Sequence, residues 1–430
     1  MRAADALGRI GALDPLGRIG ALDLGEEASE FRAQIRQWIS ANAPPGLAGL
    51  ARWNLPGNRA DGGARAVRSP EYRQWEYRLL EAHLICPNWP TRYGGSGFTP
   101  VQMLVFAEEC IRAGIPRVER GMGERLVGPA ILAHGTPEQM DYFLPRIVTG
   151  EDVYCQGYSE PDHGSDLAAV QTRGEVDGDE IVIRGQKLWT SGAQRANMIF
   201  ILCRTDPSAP RHRGLSYVLA RFASDNGVSW QPVRQLTGEA NFCQDFFDGT
   251  RAPLFNVIGG VNNGWRPAMT TLGFERGGTA TVVYLGFELE FWDLVRELEK
   301  AGRTGDPLVR QQLSWAYTQV TLMRVHGLRL AARMLAGGES GPEASIVKAF
   351  RTEYHRRFGE IALNLSGAAG LIRPAGDGYA LSRWQEVFLS SRAGTIYSGT
   401  SEIQRNIMAE RVLRLPREAR GGNGHPGAGQ

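Results

Sequence analysis

Between residues 179 and 233 the chain runs through four short β-branched or aromatic segments with no helix-length pattern between them. They are DEIVIRGQKLWTSG (179–192), NMIFILCRT (197–205), LSYVLARF (215–222) and VSWQPV (228–233). Each is bounded by Gly, Pro or Asp, the punctuation of strands. Strands that succeed one another without intervening helices cannot build βαβ units, so the middle third is predicted to be an antiparallel β domain. On either side the period changes to helical. Before it, residues 71–150 read as helical pieces, with Thr136, Pro137 and Glu138 supplying an N-cap, a first helical position and a first-turn acid. After it, Val282, Leu285, Leu289, Trp292, Val295 and Leu298 fall at spacings of three and four. The segments 307–336, 342–366, 378–393 and 400–414 continue helically with short Gly/Pro links, as an antiparallel bundle requires.

The predicted fold is therefore α+β and multidomain: a helical domain (26–150), a central antiparallel β domain (151–262) and a four-helix bundle (263–416). A near-tandem LGRIGALD at 7–14 and 16–23 marks an N-terminal extension over 1–25, since two copies make no solenoid. Residues 44–70, rich in Pro, Gly and Arg, read as a long surface loop. The Gly-rich stretch 417–430 reads as a disordered tail.

Composition removes several functions. A net charge of +2 provides no electrostatic footprint for nucleic acid or an anionic membrane. Only Lys187, Lys300 and Lys348 among the 48 basic residues are lysines, a skew that reads as codon usage. Cys86, Cys110, Cys155, Cys203 and Cys243 are dispersed and odd in number, against a disulfide framework or a zinc site. No apolar run approaches a membrane span, and Arg9, Asp14, Arg18 and Asp23 interrupt what would be a signal sequence. A soluble, cytoplasmic protein is expected.

The GxGxxG at Gly422, Gly424 and Gly427 follows no strand and opens no helix, so it is no dinucleotide site. Three other segments concentrate hydroxyls and glycines: CQGYSEPDHGSDLA (155–168), GQKLWTSGAQRAN (185–197) and IYSGTSEIQRNIMAERVLRLP (396–416). The first presents hydroxyls and free N–H groups in a turn-rich stretch. In the second, strand alternation puts Trp189 and Ser191 on one side, where an indole can cover a planar ring. The third delivers Thr400 to a helix start.

Together with GPAILAHGTPEQMDYFLPRIVTGE (128–151), WPTRYGGSGF (89–98) and GWRPAMTTLGFERGG (264–278), these segments resemble the acyl-CoA dehydrogenase family in order over residues 71–416. The resemblance implies FAD, acyl-CoA substrates, reoxidation by an electron-transferring flavoprotein, and a homodimer or homotetramer with FAD at a subunit interface. It implies that Gln156, Tyr158, Ser159 and Ser165 contact the flavin, Ser165 also lying near CoA. Trp189 and Ser191 match the family's residues beside the isoalloxazine, Thr400 and Glu402 its cofactor loop, and Arg276 an arginine near CoA.

The reaction asks for a carboxylate over the substrate's α-carbon. Many family members place it just before the glycine of GTSE; here that residue is Ser398. Others carry it in a pattern like LxxER, matched by Leu272, Glu275 and Arg276, so Glu275 is the candidate base and the Ser398 N–H remains to polarise the thioester carbonyl. Arg303 stands displaced from the family's Arg-x-x-Phe-Gly, and Asn364 and SGAAG (366–370) replace its Gln and Gly-Gly. Weaker FAD binding, or a hetero-oligomer in which a sister subunit supplies part of the site, accommodates those departures. The activity expected is dehydrogenation of an acyl-CoA, branched or bulky, to the 2-enoyl-CoA. The alternatives are a flavin oxidase or monooxygenase on a non-CoA substrate, and a non-catalytic partner subunit.

Overall fold

The computed structural model describes residues 25–47, 69–277, 280–336, 341–372 and 380–416. The N-terminal repeat, most of the 44–70 loop and the Gly-rich tail lie outside the described residues. Helices α1 (Glu26–Asn42), α2 (Pro70–Glu81), α3 (Pro100–Arg112), α4 (Gly128–His134) and α5 (Pro137–Thr149) come first. Their starts are chemically specified: Ser69 caps α2 ahead of Pro70, while Thr99 and Thr136 form capping boxes with Gln102 and Gln139.

The middle of the chain is one sheet: β1 (Tyr154–Gly157), β2 (Arg173–Asp177), β3 (Glu180–Ser191), β4 (Met198–Arg204), β5 (Leu215–Arg221), β6 (Val228–Val233), β7 (Phe242–Pro253) and β8 (Val257–Ile258). Its order is β6-β7-β3-β2-β4-β5-β8, with antiparallel pairs throughout except where β4 meets β1 and the end of β2. Tyr154–Gly157 lies parallel to Met198–Ile201, because the chain reaches β1 directly from the helical domain instead of through a hairpin. β4 is buried on both faces. Phe200 and Leu202 join Trp89, Phe143 and Ile147 in a core shared with the first helices, while Ile199 and Ile201 pack with Ile181 and Val218 behind it. That is why its sequence is continuously apolar. All five cysteines are free thiols in these interiors.

α6 (Trp265–Gly277) leads into the bundle α7 (Tyr284–Lys300), α8 (Pro307–Leu335), α9 (Ala344–Leu365) and α10 (Arg383–Gly394), followed by the short α11 (Ser401–Ile407). α8 packs on α7 and α9, and α9 on α10. The Trp384 indole N–H on α10 donates to Glu297 on α7 at 2.5 Å, closing the bundle. On α7 burial is wider than one stripe. Tyr284, Phe287, Phe291 and Leu294 are buried, whereas Leu289 and Trp292 are only partly so. The cause is a second neighbour: α3 contributes Leu104 and Ala107 to the bundle core, and the Tyr284 hydroxyl donates to Glu108 at 3.0 Å. α6 touches α4, β5 and α9 at once, so it stands where all three parts of the chain meet.

Candidate active site

Glu275 lies near the C-terminal end of α6, at this junction, half-buried. The Ser398 hydroxyl donates to its Oε1 at 2.5 Å. No other hydrogen bond engages the carboxylate among the described residues, so Oε2 keeps its lone pairs. Ser398 adopts φ +56°, a left-handed conformation that a non-glycine residue holds only when its surroundings over-determine it. The surroundings are visible. The buried Gln404 amide donates to the Ser398 carbonyl at 3.0 Å and to the Gly399 carbonyl at 3.3 Å, and Lys348 Nζ on α9 donates to the latter at 2.6 Å. Gly399, at φ +83°, leaves no room for a side chain, since a Cβ there would stand 2.5 Å from the Gln404 amide. Burial pushes the Lys348 ammonium down to about 8, with Arg351 adding repulsion against the pull of Glu275, Glu353 and Glu402.

The sheet supplies a second group of residues. Gln156 and Ser159 are half-buried on and after β1, and Ser165 is exposed in the following turn. Tyr158 is almost wholly buried, packed edge-on to Phe200 and Tyr217, so its ring belongs to the core between the sheet and α6. The loop is braced from below. Lys187 Nζ, fully buried on β3, donates to Glu160 Oε1 at 2.9 Å and to the Tyr158 carbonyl at 3.0 Å. Burial alone would raise the Glu160 carboxyl, but Lys187 and the N–H groups of Thr172 and Gln171 hold it below its ordinary value.

Strand alternation does not govern Trp189 and Ser191. The β3–β7 register shifts between Leu188 and Thr190, and Trp189 (φ +66°) is the unpaired residue of that bulge. The bulge puts Thr190 in the interior and leaves the indole 55 % exposed, edge-on to Phe242. Gly192 follows at φ +71°, with open space where a Cβ would be. An exposed indole, the half-buried Ser191 and an open glycine make a rim that fits a planar heterocycle such as a flavin.

Thr400 caps α11, its hydroxyl accepting from the Ile403 N–H at 3.2 Å. It lines a cleft of about 430 Å³ with Glu353, Arg356, Ser401, the exposed Glu402 and Arg405. Arg303 donates to the Leu365 carbonyl at the end of α9. The Arg276 side chain lies outside the described residues. Sequence reasoning missed Lys187, Lys348, Gln404 and the direct Ser398–Glu275 bond. The lysines carried a signal: two of only three sit buried under these loops. Among the described residues no helix is long and apolar enough to cross a membrane, and no three metal-ligating side chains gather.

Comparison with known proteins is consistent between residues 25 and 413. Residues 25–151 match the acyl-CoA dehydrogenase N-terminal domain, 155–248 its middle domain and 262–413 its C-terminal domain. The chain is 40% identical over 396 residues to acyl-CoA dehydrogenase IpdE1 of Mycobacterium tuberculosis, covering 92% of this chain and 100% of that protein. Among solved structures, the Tcur3481-Tcur3483 steroid ACAD is similar with a TM-score of 0.75 at 31% identity, covering 92% of this chain and 99% of that one. The ChsE4-ChsE5 complex from Mycobacterium tuberculosis has a TM-score of 0.74 at 28% identity, covering 92% and 100%.

Proposed function

The chain belongs to the acyl-CoA dehydrogenase family of oxidoreductases, and we propose that it dehydrogenates an acyl-CoA to the 2-enoyl-CoA with Glu275 as base. The observation that supports this reading is the Ser398–Glu275 hydrogen bond, which brings a carboxylate beside the residue that stands where many family members carry their glutamate. Glu275 Oε2 takes the α-proton, and Ser398 keeps the carboxylate aimed while its own N–H donates to the thioester oxygen. FAD, when bound, supplies the acceptor for the β-hydrogen. Trp189 and Ser191 would flank its ring, Gln156, Ser159 and Ser165 would contact it from the β1 loop, and Thr400 and Glu402 from the α11 loop. Tyr158 would contribute through its backbone, because its ring is committed to the core. Ser165 and Arg276 would meet CoA. The domain limits are read as 26–150, 151–262 and 263–416, in a soluble cytoplasmic enzyme reoxidised by an electron-transferring flavoprotein.

Two of the similar structures are a steroid ACAD and the ChsE4-ChsE5 complex. We carry both over as proposals: a bulky, polycyclic acyl-CoA, and a homodimer, homotetramer or hetero-oligomer. The hetero-oligomer gains support from Arg303, whose guanidinium is engaged at Leu365 within its own chain. Anaerobic titration of the FAD-loaded protein with a panel of acyl-CoAs tests the reading. At least one should bleach the flavin band; rapid peroxide formation in air would point to an oxidase instead.

A further inference from the structure

Resting on the assignment of Glu275 as base, we infer that the acyl group accepted here carries an acceptor oxygen beyond its thioester, and that Arg351 and Arg125 receive it. Arg351 sits on α9 three residues after Lys348, whose ammonium is tied to the loop that positions Ser398. The residue is half-buried, and its charged and titratable neighbours are Tyr397, Glu275 and Arg125. Among the described residues it forms no hydrogen bond and no ion pair.

Among the described arginines that are not exposed, this sets it apart. Arg117 is paired with Glu124, Arg120 donates to the Val148 carbonyl, Arg204 to the Ala168 carbonyl and Arg392 to Glu360. A guanidinium presents five N–H donors in a planar fork suited to a carboxylate or carbonyl. Burial and the like charge of Arg125 both weaken its charged form, so an arriving acceptor satisfies a group that the fold leaves wanting.

Arg125 is the second basic group in this neighbourhood. It lies in the π-helical turn Gly123–Val127, which packs against α6. Only its Nε is engaged among the described residues, donating to the Gly121 carbonyl at 3.3 Å and standing 3.9 Å from Glu119, so both terminal nitrogens remain. A plain hydrocarbon acyl chain entering beside Glu275 would strip water from Arg351 and offer it nothing, while the exposed Arg125 would keep its own. An acyl group bearing a carboxylate, or a ring carbonyl, offers the acceptor that both lack.

The test uses the FAD-loaded protein and three acyl-CoAs matched in size: a hydrocarbon, a ketone-bearing and a carboxylate-bearing acyl chain. The wild type should favour an oxygen-bearing substrate over the hydrocarbon by about 100-fold in kcat/KM. Whichever of the ketone and carboxylate wins identifies the oxygen. Arg351→Met should collapse that ratio toward one by lowering kcat/KM for the oxygen-bearing substrate far more than for the hydrocarbon, and Arg351→Lys should retain part of it. Equilibrium dialysis of the matching 2-enoyl-CoAs should show the same loss without turnover. Arg125→Met reads the same ratio if the Arg351 variant does not fold. A wild-type ratio near one, an unchanged ratio in both variants, or loss of FAD with the ratio intact would overturn the inference. Failure of every acyl-CoA to reduce the flavin would instead remove the dehydrogenase reading beneath it.

Discussion

Two buried lysines support the two halves of the site, and they do so in opposite ways. Lys187, under the β1 loop, meets a carboxylate: Glu160 lies 2.9 Å away, itself held by two backbone N–H groups. Lys348, under the Ser398 loop, hydrogen-bonds among the described residues only to a carbonyl, and its ammonium is pushed down to about 8 by burial first and Arg351 second. A lysine whose charge is matched locally acts as a rigid brace. One that bonds no carboxylate directly adds to the field felt by Glu275, the carboxylate nearest the proposed chemistry. The β half is therefore built for rigidity and the bundle half for an electrostatic environment.

The largest expected effect falls on the bundle half alone. Glu275→Gln should lower kcat by about 1,000-fold, within the range for losing a general base, with FAD absorbance and thermal midpoint unchanged. A variant keeping most of its rate would end the assignment. Next is the contrast between the lysines. Lys187→Met leaves Glu160 buried without its countercharge and should cost about 3 kcal/mol in denaturant unfolding. Lys348→Met leaves no carboxylate stranded, and Gln404 still donates to Gly399, so its cost should stay near 1 kcal/mol. Equal costs would break the comparison.

The helix–sheet–helix order was legible because its parts carry their own chemistry: the N-cap at Thr136, and the unbroken apolar run of β4, buried on both faces. The α7 stripe was legible only in part. Periodicity reports one buried face, whereas α7 is covered by its bundle neighbours and by α3, which brings Tyr284 and Glu108 together. At the site, Glu275 could be singled out from its segment, but its partner could not, since 123 residues separate it from Ser398. Trp189 shows a different limit. Alternation along β3 assumes an uninterrupted register, and one extra residue in the bulge sends Thr190 inward and the indole outward. The lysines were in plain sight, but what lies above a buried ammonium is decided by packing between distant strands and helices.

A third test sets the two halves against each other in pH. Asp245 on β7 is fully buried, and burial raises its carboxyl to about 7, with Thr190 opposing. Its folded-state value lies above the unfolded one of about 3.9, so the stability it supports is complete below about pH 4 and is lost as pH rises through 7. Asp245→Asn should remove that loss, raising stability at pH 8 by about 2 kcal/mol and leaving pH 4 unchanged. Lys348 has the reverse sign. Its folded-state value is depressed, so the unfolded chain binds more protons between about pH 8 and 10.5, and stability rises across that window. Lys348→Met should flatten the rise. Urea titrations at pH 4, 8 and 10 separate the two contributions.

The smallest effect is the one that asks whether the Ser398 hydroxyl aims Glu275 or merely fills space. Ser398→Ala keeps the Cβ, and with it the strain of φ +56°, but deletes the bond to Oε1. Ser398→Gly deletes the bond and the strain together, and should gain about 0.5–1 kcal/mol in stability over the alanine variant. If the hydroxyl holds the carboxylate in line, both variants should lose a similar three- to ten-fold in kcat, about 1 kcal/mol, despite their different stabilities. KM should barely move, because the thioester would still meet the backbone N–H at 398. If instead activity tracks loop stability, the glycine variant should outperform the alanine one. Ser398 would then belong with Lys187, as a brace, and the contrast between the two halves of the site would narrow.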